Sequence, residues 1–293
     1  MHFLLLCILS STGIFIIFKT LDRTGIPSFP VIVINYLTAT LLGFLINAGE
    51  VSAESIRQAG WLPMSVIIGI MFILMFFLIA HSSRKAGISV TTVASKMSVV
   101  FPIIFSMVID PGDRLTLMKM AAIAVALAGL LLTIYRPGKG KVDRSVVFIP
   151  LLLFAGMGVV DSMVKLAQHR FVMDADTALF SAILFFNAFL SGLLAMIFYR
   201  KDHRQFRRGA VWAWGLMLGT VNFGSIFFLV RTLNYTSPSG QALDGSVVFG
   251  ANNIGIVALS VLAGLLIFQE KLKPINWAGI LLSALALLLF ALV

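Results

Sequence analysis

Apolar stretches about as long as a bilayer is thick follow one another along almost the whole chain. They fall at 3–20, 29–47, 61–80, 88–109, 115–135, 146–168, 177–199, 210–235, 243–268 and 275–293. A helix rises about 1.5 Å per residue, so roughly 20 apolar residues carry it across the hydrocarbon core of a membrane. The pattern therefore predicts an all-α membrane protein with ten transmembrane helices, which we number spans one to ten.

The composition favours the same class of protein. Hydrophobic residues make up 59% of the chain and charged residues 12%, and the mean hydropathy is +1.02. A water-soluble domain could not bury this many apolar side chains in its core. The polar segments between the spans are too short to form a soluble domain, so we expect the function to lie between the helices. A membrane receptor or scaffold would normally carry a soluble output domain and is therefore a weaker interpretation.

The positive charge is distributed as in a membrane protein rather than a nucleic-acid-binding protein. The net charge is +10, but the basic residues form short clusters beside the spans, as in the segment 199–208. Fifteen of the 22 Lys and Arg residues lie in the loops after odd-numbered spans, six lie in the other loops, and Lys96 lies inside span four. Basic loops tend to stay in the cytoplasm. The count predicts cytoplasmic odd loops, both termini outside, and no nucleic-acid partner.

Short charged segments occur at matching positions in the two halves of the chain. Asp113-Arg-Leu opens span five, and Glu270-Lys-Leu opens span ten. The sequence thus predicts two five-helix repeats, residues 1–138 and 139–293. Because five is an odd number, the second repeat has to enter the membrane in the opposite direction. Inverted repeats of this kind suit transport by alternating access.

The chain resembles the drug/metabolite transporter superfamily, and within it the ten-helix members with two EamA-type repeats. The most specific element is Glu270-Lys-Leu-Lys-Pro-Ile-Asn-Trp-Ala-Gly279 followed by an apolar helix. This segment is similar to the family's signature at the junction of the ninth and tenth helices. Asp113-Arg-Leu is the first-half copy, with Asp where the family usually has Glu, and Ala122 stands opposite Gly279. The resemblance covers essentially the whole chain.

The resemblance implies a basket of helices around a central cavity. Spans one, three, four, six, eight and nine would surround the cavity, and spans five and ten would pack at the periphery. It also implies a transporter of the bacterial inner membrane that exports a small metabolite. Members are commonly drawn with cytoplasmic termini, which is the opposite of the charge count here. Span nine departs from span four in having Leu259 opposite Pro102.

Lys96 lies near the middle of span four, in Thr92-Val-Ala-Ser-Lys-Met-Ser-Val-Val-Phe-Pro102. A charged side chain at this depth costs between about 2.5 and more than about 10 kcal/mol, depending on the scale. One interpretation is an ammonium that faces the cavity and receives a carboxylate or phosphate of the substrate. The alternatives are a structural ion pair with a neighbouring acid and a lysine kept neutral by burial.

A second ionisable residue, Asp161, lies in span six about one turn from the bilayer centre. Asp161 and Lys165 are spaced i, i+4 with the acid first, an arrangement that favours a local ion pair. The alternative is a carboxyl group that faces the cavity and either couples transport to protons or pairs with Lys96. Both interpretations stay open, and so does a counter-substrate as the coupling partner.

Amide and aromatic side chains complete the predicted substrate-binding set. Asn253 in span nine is the repeat counterpart of Lys96, because each stands 17 residues before the charged triplet of its half. Asn252 and Asn222 are further amides near the centre of a span, where amides either join helices or contact substrate. Two phenylalanines of span three are expected to line an apolar wall of the cavity. The full predicted set is Lys96, Asn253, Asn252, Asn222, Asp161, Phe72 and Phe76.

Other chemistries find little support in the sequence. The four histidines lie at span ends without a metal-binding pattern, and the single cysteine, Cys7, is expected to be lipid-facing or packed. We expect no cofactor, no metal and no catalytic residue, since phosphate-binding glycine loops and clustered nucleophiles are missing from the sequence. The alternative function is an intramembrane lipid-linked enzyme or flippase component. The sequence favours a non-enzymatic transporter of an anionic or zwitterionic metabolite, acting as a monomer or homodimer.

Overall fold

The computed structural model describes residues 2–46, 59–109, 116–135, 144–171, 177–197, 200–233 and 245–291. Every regular element in these ranges is helical. The α-helices are α1 (His2–Thr24), α2 (Ser28–Ile46), α3 (Leu62–Lys85), α4 (Ile88–Met97), α5 (Val100–Ile109), α6 (Leu117–Ile134), α7 (Arg144–Phe171), α8 (Thr177–Met196), α9 (Gly209–Leu233), α10 (Gly245–Leu266) and α11 (Pro274–Ala291), and a 3₁₀ helix covers Arg200–Arg207. The all-helical class that the sequence predicts is confirmed.

Within the described ranges, eight helical segments are long and apolar enough to cross a membrane, judged by length and composition. These segments correspond to the predicted spans one to eight. At spans nine and ten, the shorter apolar segments Ala251–Leu266 and Pro274–Phe290 lie within α10 and α11. These are the helices of a multi-pass membrane protein.

The distribution of polar and apolar side chains suits a hydrocarbon environment. Large apolar side chains such as Leu45, Leu131 and Leu281 are exposed, whereas the amides of Asn35 and Asn276 are fully buried. Lipid accepts exposed apolar side chains, and polar side chains inside a membrane protein find partners on neighbouring helices. The exposed surface of these helices is therefore suited to lipid contact, and the polar groups hold helices together.

The regular α-helix of span four is interrupted at Ser98 and Val99, which lie between α4 and α5, although Ile88–Phe105 still forms one helical segment of membrane length. The N–H groups of Ser98 and Val99 donate hydrogen bonds to the Lys96 carbonyl. The Phe101 N–H then donates to the Ser98 carbonyl at 2.9 Å. Pro102 has no N–H to offer to that carbonyl, and a proline ring crowds the carbonyl four residues before it. Pro102 thus explains the break, which begins two residues after Lys96.

The chain forms two compact units. Unit A comprises Met1–Lys19, Leu78–Gly158 and Gly224–Val293, and unit B comprises Thr20–Phe77 and Val159–Phe223. The boundary falls within α1, α3, α7 and α9. Each unit therefore combines residues from both halves of the chain.

In unit A, α6 and α11 pack closely along small residues. A Cβ atom added at Gly129 would lie 2.6 Å from the Ser283 hydroxyl oxygen. One added at Gly279 would lie 2.6 Å from the Thr133 hydroxyl oxygen. The Asn276 amide donates to three carbonyls at the end of α6, at 2.8 to 3.2 Å. The end of α6 thus meets the beginning of α11, and the two helices run antiparallel.

An apolar core of unit A holds α4 in place. It joins α4 to α6 and α10 and excludes water from the face of α4 that it covers. The buried side chains of this core include Val93, Met97, Leu130, Val257 and Val261.

In unit B, α2 packs on α8. A Cβ atom added at Gly43 would lie 3.0 Å from the Ala182 side chain. One added at Gly192 would lie 3.1 Å from the Val33 side chain. The beginning of α2 therefore meets the end of α8, and this pair also runs antiparallel.

Candidate functional site

Lys96 lies in the last turn of α4, at the break in span four, and its side chain is half-buried. The last carbonyls of a helix give its C-terminal end a partial negative charge, which stabilises a cation there. Transporters commonly bind substrates and ions where a helix is broken near the middle of the membrane, because half-helix ends point into the site. The backbone around Lys96 therefore suits a positively charged side chain.

Cys7 joins α1 to α9 and α10 in the same unit. Its sulfur lies 3.1 Å from the Asn252 side-chain oxygen and 3.1 Å from the Ser225 carbonyl oxygen, so the thiol can donate to either. The sequence left two interpretations of Cys7, a lipid-facing side chain and a packed one. Cys7 is packed, because its side chain is only 1% exposed. The sequence did not indicate its polar partners.

The two predicted amides of α10 differ in burial. Asn252 is 5% exposed and accepts from Cys7, which leaves its NH₂ group as a donor to other partners. Asn253 is half-buried. Both amides lie in unit A with Lys96, and their contact with a substrate stays a prediction.

The loop between α10 and α11 carries an acid that caps the beginning of α4. Glu270 accepts from the Ile88 N–H through one carboxylate oxygen. Through the other it accepts from the Ser89 N–H at 3.2 Å and the Ser89 hydroxyl at 2.8 Å. Gly87, at the N-cap position, has no side chain that could do this. Sequence analysis identified Glu270 only as the residue that opens span ten and missed the contact, which joins residues 182 positions apart.

In unit B, Asn222 is buried and its amide hydrogen-bonds with Asn35 at 3.1 Å. This pair joins α2 to α9. It agrees with the interpretation that an amide within a span joins helices. A substrate contact of Asn222 stays a prediction.

The two predicted phenylalanines of unit B belong to an aromatic cluster around the fully buried Tyr36. The ring centroid of Phe76 lies 5.2 Å from that of Tyr36. Phe72 contacts Phe185 with centroids 6.2 Å apart, and Phe185 in turn contacts Tyr36. Such tilted ring pairs stabilise packing beyond the area they bury. Both phenylalanines thus have a packing role, and their place on a cavity wall stays a prediction.

Asp161 is half-buried in α7, within unit B. The side chain of Lys165, its predicted ion-pair partner, lies outside what the structure describes. The helical spacing of four residues between them is retained, since both positions belong to α7. The local ion pair and the proton-coupling role of Asp161 both stay predictions.

Among the described residues, no group of three or more His, Cys, Asp or Glu side chains is placed to hold a metal ion. The candidate residues offer the Lys96 amine, the carboxyl groups of Asp161 and Glu270, several amides and hydroxyls, and aromatic rings. Such groups bind and orient a small molecule through hydrogen bonds and charge.

Comparisons with known proteins bear on the fold. No family model matches the chain. An uncharacterised protein of Haemophilus influenzae is 26% identical over 289 residues, which cover 97% of this chain and 95% of that protein. One solved crystal structure is similar to this chain with a TM-score of 0.58 and 17% sequence identity. The alignment covers 96% of this chain and 97% of the other chain. At that identity the likeness concerns the fold alone.

Proposed function

We propose that the protein is a secondary transporter that moves a small anionic or zwitterionic metabolite by alternating access, with Lys96 as the anion-binding group. The observation that carries the proposal is the position of Lys96, half-buried at the end of the half-helix α4 where span four is broken. On the segment from Glu270 to Gly279 we also propose that the chain is an EamA-type member of the drug/metabolite transporter superfamily.

The chemistry of the site favours an anion. An ammonium at this depth is poorly hydrated, so a substrate carboxylate or phosphate would offset part of its desolvation and gain a charge-assisted hydrogen bond. Asn252 and Asn253 supply neutral hydrogen-bonding groups in the same unit. A zwitterion is included because its carboxylate offers the same contact.

Three helix pairs support the two inverted repeats, 1–138 and 139–293. Spans two and seven, four and nine, and five and ten are predicted counterparts, and the members of each pair pack directly on each other. Inverted repeats require counterparts to cross the membrane in opposite directions. All three pairs do run antiparallel. The contacts that support this are Gly43 with Ala182, Ser89 with Gly264, and Gly129 with Ser283.

The composition of the two units also supports the repeats. Spans four, five, nine and ten lie in unit A, and spans two and seven lie in unit B. Spans one, three, six and eight contribute to both. Each half of the chain thus gives equivalent spans to each unit, which is what two similar repeats would do.

Reconstitution tests the transport function. Proteoliposomes would be loaded with a mixture of zwitterionic amino acids, small dicarboxylates and phosphate monoesters, and the released compounds measured by mass spectrometry against protein-free liposomes. We expect release of at least one of these compounds, and an imposed pH gradient would separate proton coupling from exchange. Inserted, folded protein that releases none of them while it moves or modifies a lipid would favour the flippase or enzyme alternative.

The proposed location is the bacterial inner membrane, with both termini outside. The basic clusters after the odd spans, such as Arg207 and Arg208, support this orientation. A C-terminal reporter that fluoresces only in the cytoplasm should stay dark. A bright reporter would reverse the orientation and restore the one usual for the superfamily.

A further inference from the structure

We propose that Glu270 is the positioning residue of the Lys96 site, a role that rests on the proposed transport function. Its carboxylate fixes the first turn of α4 to the end of α10. It thereby sets the depth and rotation of Lys96 at the opposite end of α4.

The backbone is built around this carboxylate. A Cβ atom added at Gly87 would lie 2.6 Å from one carboxylate oxygen of Glu270, and one added at Gly264 would lie 2.7 Å from the other. Gly87 also has φ 95°, a conformation that side chains other than glycine rarely adopt. Glycine at both positions therefore makes room for the carboxylate between α4 and α10.

The backbone of Glu270 is itself held in place. Gln269 adopts a left-handed conformation with φ 52°, which turns the chain at the end of α10. The Glu270 N–H then donates to the Gly264 carbonyl at 2.8 Å. Hydrogen bonds thus fix both the main chain and the side chain of Glu270. The link that it forms between α10 and α4 therefore has little conformational freedom.

The break after Lys96 makes this anchor important. α4 has only ten residues and does not continue as a regular helix into α5. Ser89 and Lys96 are separated by about 10 Å along the helix axis. A short half-helix moves as one body, so a shift of its first turn is carried to Lys96. The anion at the beginning and the cation in the last turn also both complement the helix dipole.

Hydrogen exchange tests the cap without any substrate. The variants are Glu270→Ala and the milder Glu270→Gln, with Lys271→Gln as a control that changes one charge at an exposed position of the same loop. We expect the full-length protein in nanodiscs to exchange the 88–97 amides about fivefold faster in Glu270→Ala, the factor given by loss of one typical helix cap. Glu270→Gln should show a smaller increase, and the control should match wild type. Unchanged exchange in both Glu270 variants would overturn the proposal.

Chemical labelling of Lys96 tests the positioning. Reductive methylation with formaldehyde, read by peptide mass spectrometry, measures how accessible the Lys96 amine is. We expect methylation to become several-fold faster in both Glu270 variants and to stay unchanged in Lys271→Gln. Faster exchange at α4 with wild-type methylation of Lys96 would mean that Glu270 serves only the stability of the helix, and the proposal would be wrong.

The transport assay separates the two proposals. For the compound that wild type releases from the loaded mixture, we expect Glu270→Ala to raise KM more than it lowers the maximal rate per inserted molecule. A purely structural defect would lower the amount of inserted protein and leave KM unchanged, which would contradict the proposal. If wild type releases nothing, the transport function fails, and the exchange and methylation results still decide whether Glu270 positions Lys96.

Discussion

Spans four and nine are predicted counterparts that pack on each other in unit A, yet their backbones differ. Span nine is the continuous helix α10 of 22 residues, whereas span four consists of α4 and α5 with ten residues each. The residue opposite Pro102 is Leu259, which has the N–H that continues a helix. A single proline thus accompanies the difference between an interrupted span four and a continuous span nine.

The same two spans also differ in charge. Lys96 stands at the end of α4, whereas its counterpart Asn253 stands within α10. A helix end stabilises a cation by about 0.3 to 1 kcal/mol, and by up to about 2 kcal/mol when it is partly buried. An intramembrane charge costs at least about 2.5 kcal/mol. For a charged Lys96 the break therefore offsets only part of the cost, and polar partners or a bound anion have to supply the rest.

The largest expected effect comes from removing the charge that distinguishes span four. Lys96→Met should abolish carrier-mediated release from the loaded proteoliposomes, because the anion loses its charged partner in the proposed site. Lys96→Arg should recover it incompletely, since the guanidinium has a different shape and hydrogen-bonding geometry. Asn253→Leu, the matched change in span nine, should reduce release by about tenfold, the effect of one or two neutral hydrogen bonds.

Equal amounts of inserted protein, measured by size-exclusion chromatography and quantitative blotting, are the control for this series. Normal release by Lys96→Met would show that the lysine is structural and that the anion binds elsewhere. If Lys96→Met and Asn253→Leu lose release to the same extent, the two spans contribute equally to transport, and the proposed functional difference between them is wrong.

Leu259→Pro would copy the break into span nine. It removes one N–H from the interior of α10 and crowds the carbonyl four residues earlier, so we expect a loss of about 3 kcal/mol or more in stability. The measurement is the thermal unfolding midpoint in detergent, with Leu259→Ala as the control for the lost side chain. A proline variant as stable as the alanine variant would show that α10 tolerates a break as span four does.

Much of the fold could be predicted from the sequence because its signal is local. The apolar stretch at 88–109 coincides with α4 and α5, and the stretch at 275–293 coincides with α11. Hydropathy alone did not reveal the break in span four, since Ser98 and Val99 lie inside an apolar run. The position of Pro102 was the available signal, because a proline within a helical pattern ends or kinks the helix before it.

The candidate site could be predicted only in part, because its contacts are distant in sequence. Lys96 was evident as a charge within an apolar span. Glu270 and Cys7 were not, since their partners lie on other helices and the sequence alone does not show which helices meet. The amide of Asn222 was recognised as polar, but its partner Asn35 follows from the packing of α2 and α9. Residue type thus indicated the candidates, and long-range packing assigned their neighbours.

Pro102→Leu should repair the break. A leucine N–H can bond the Ser98 carbonyl and continue the helix, so the amides of residues 98–102 should exchange more slowly. Lys96 would then lose the favourable helix end, worth up to about 2 kcal/mol, and the KM of the released compound should rise by up to roughly tenfold. Pro102→Ala, which also restores the N–H, should act in the same direction. Slower exchange with an unchanged KM would show that the break does not matter for binding.

The smallest effect is expected at Cys7, which hydrogen-bonds to Asn252 of span nine. A neutral hydrogen bond contributes about 0.5 to 1.5 kcal/mol, and a thiol is a weak donor, so Cys7→Ala should lose less than about 1 kcal/mol in stability and raise KM a few-fold at most. Cys7→Ser, which keeps a donor at this position, should remain closer to wild type in both measurements. A loss of transport in Cys7→Ala as complete as in Lys96→Met would contradict the comparison. It would mean that the neutral contacts of span nine are as decisive as the charge of span four.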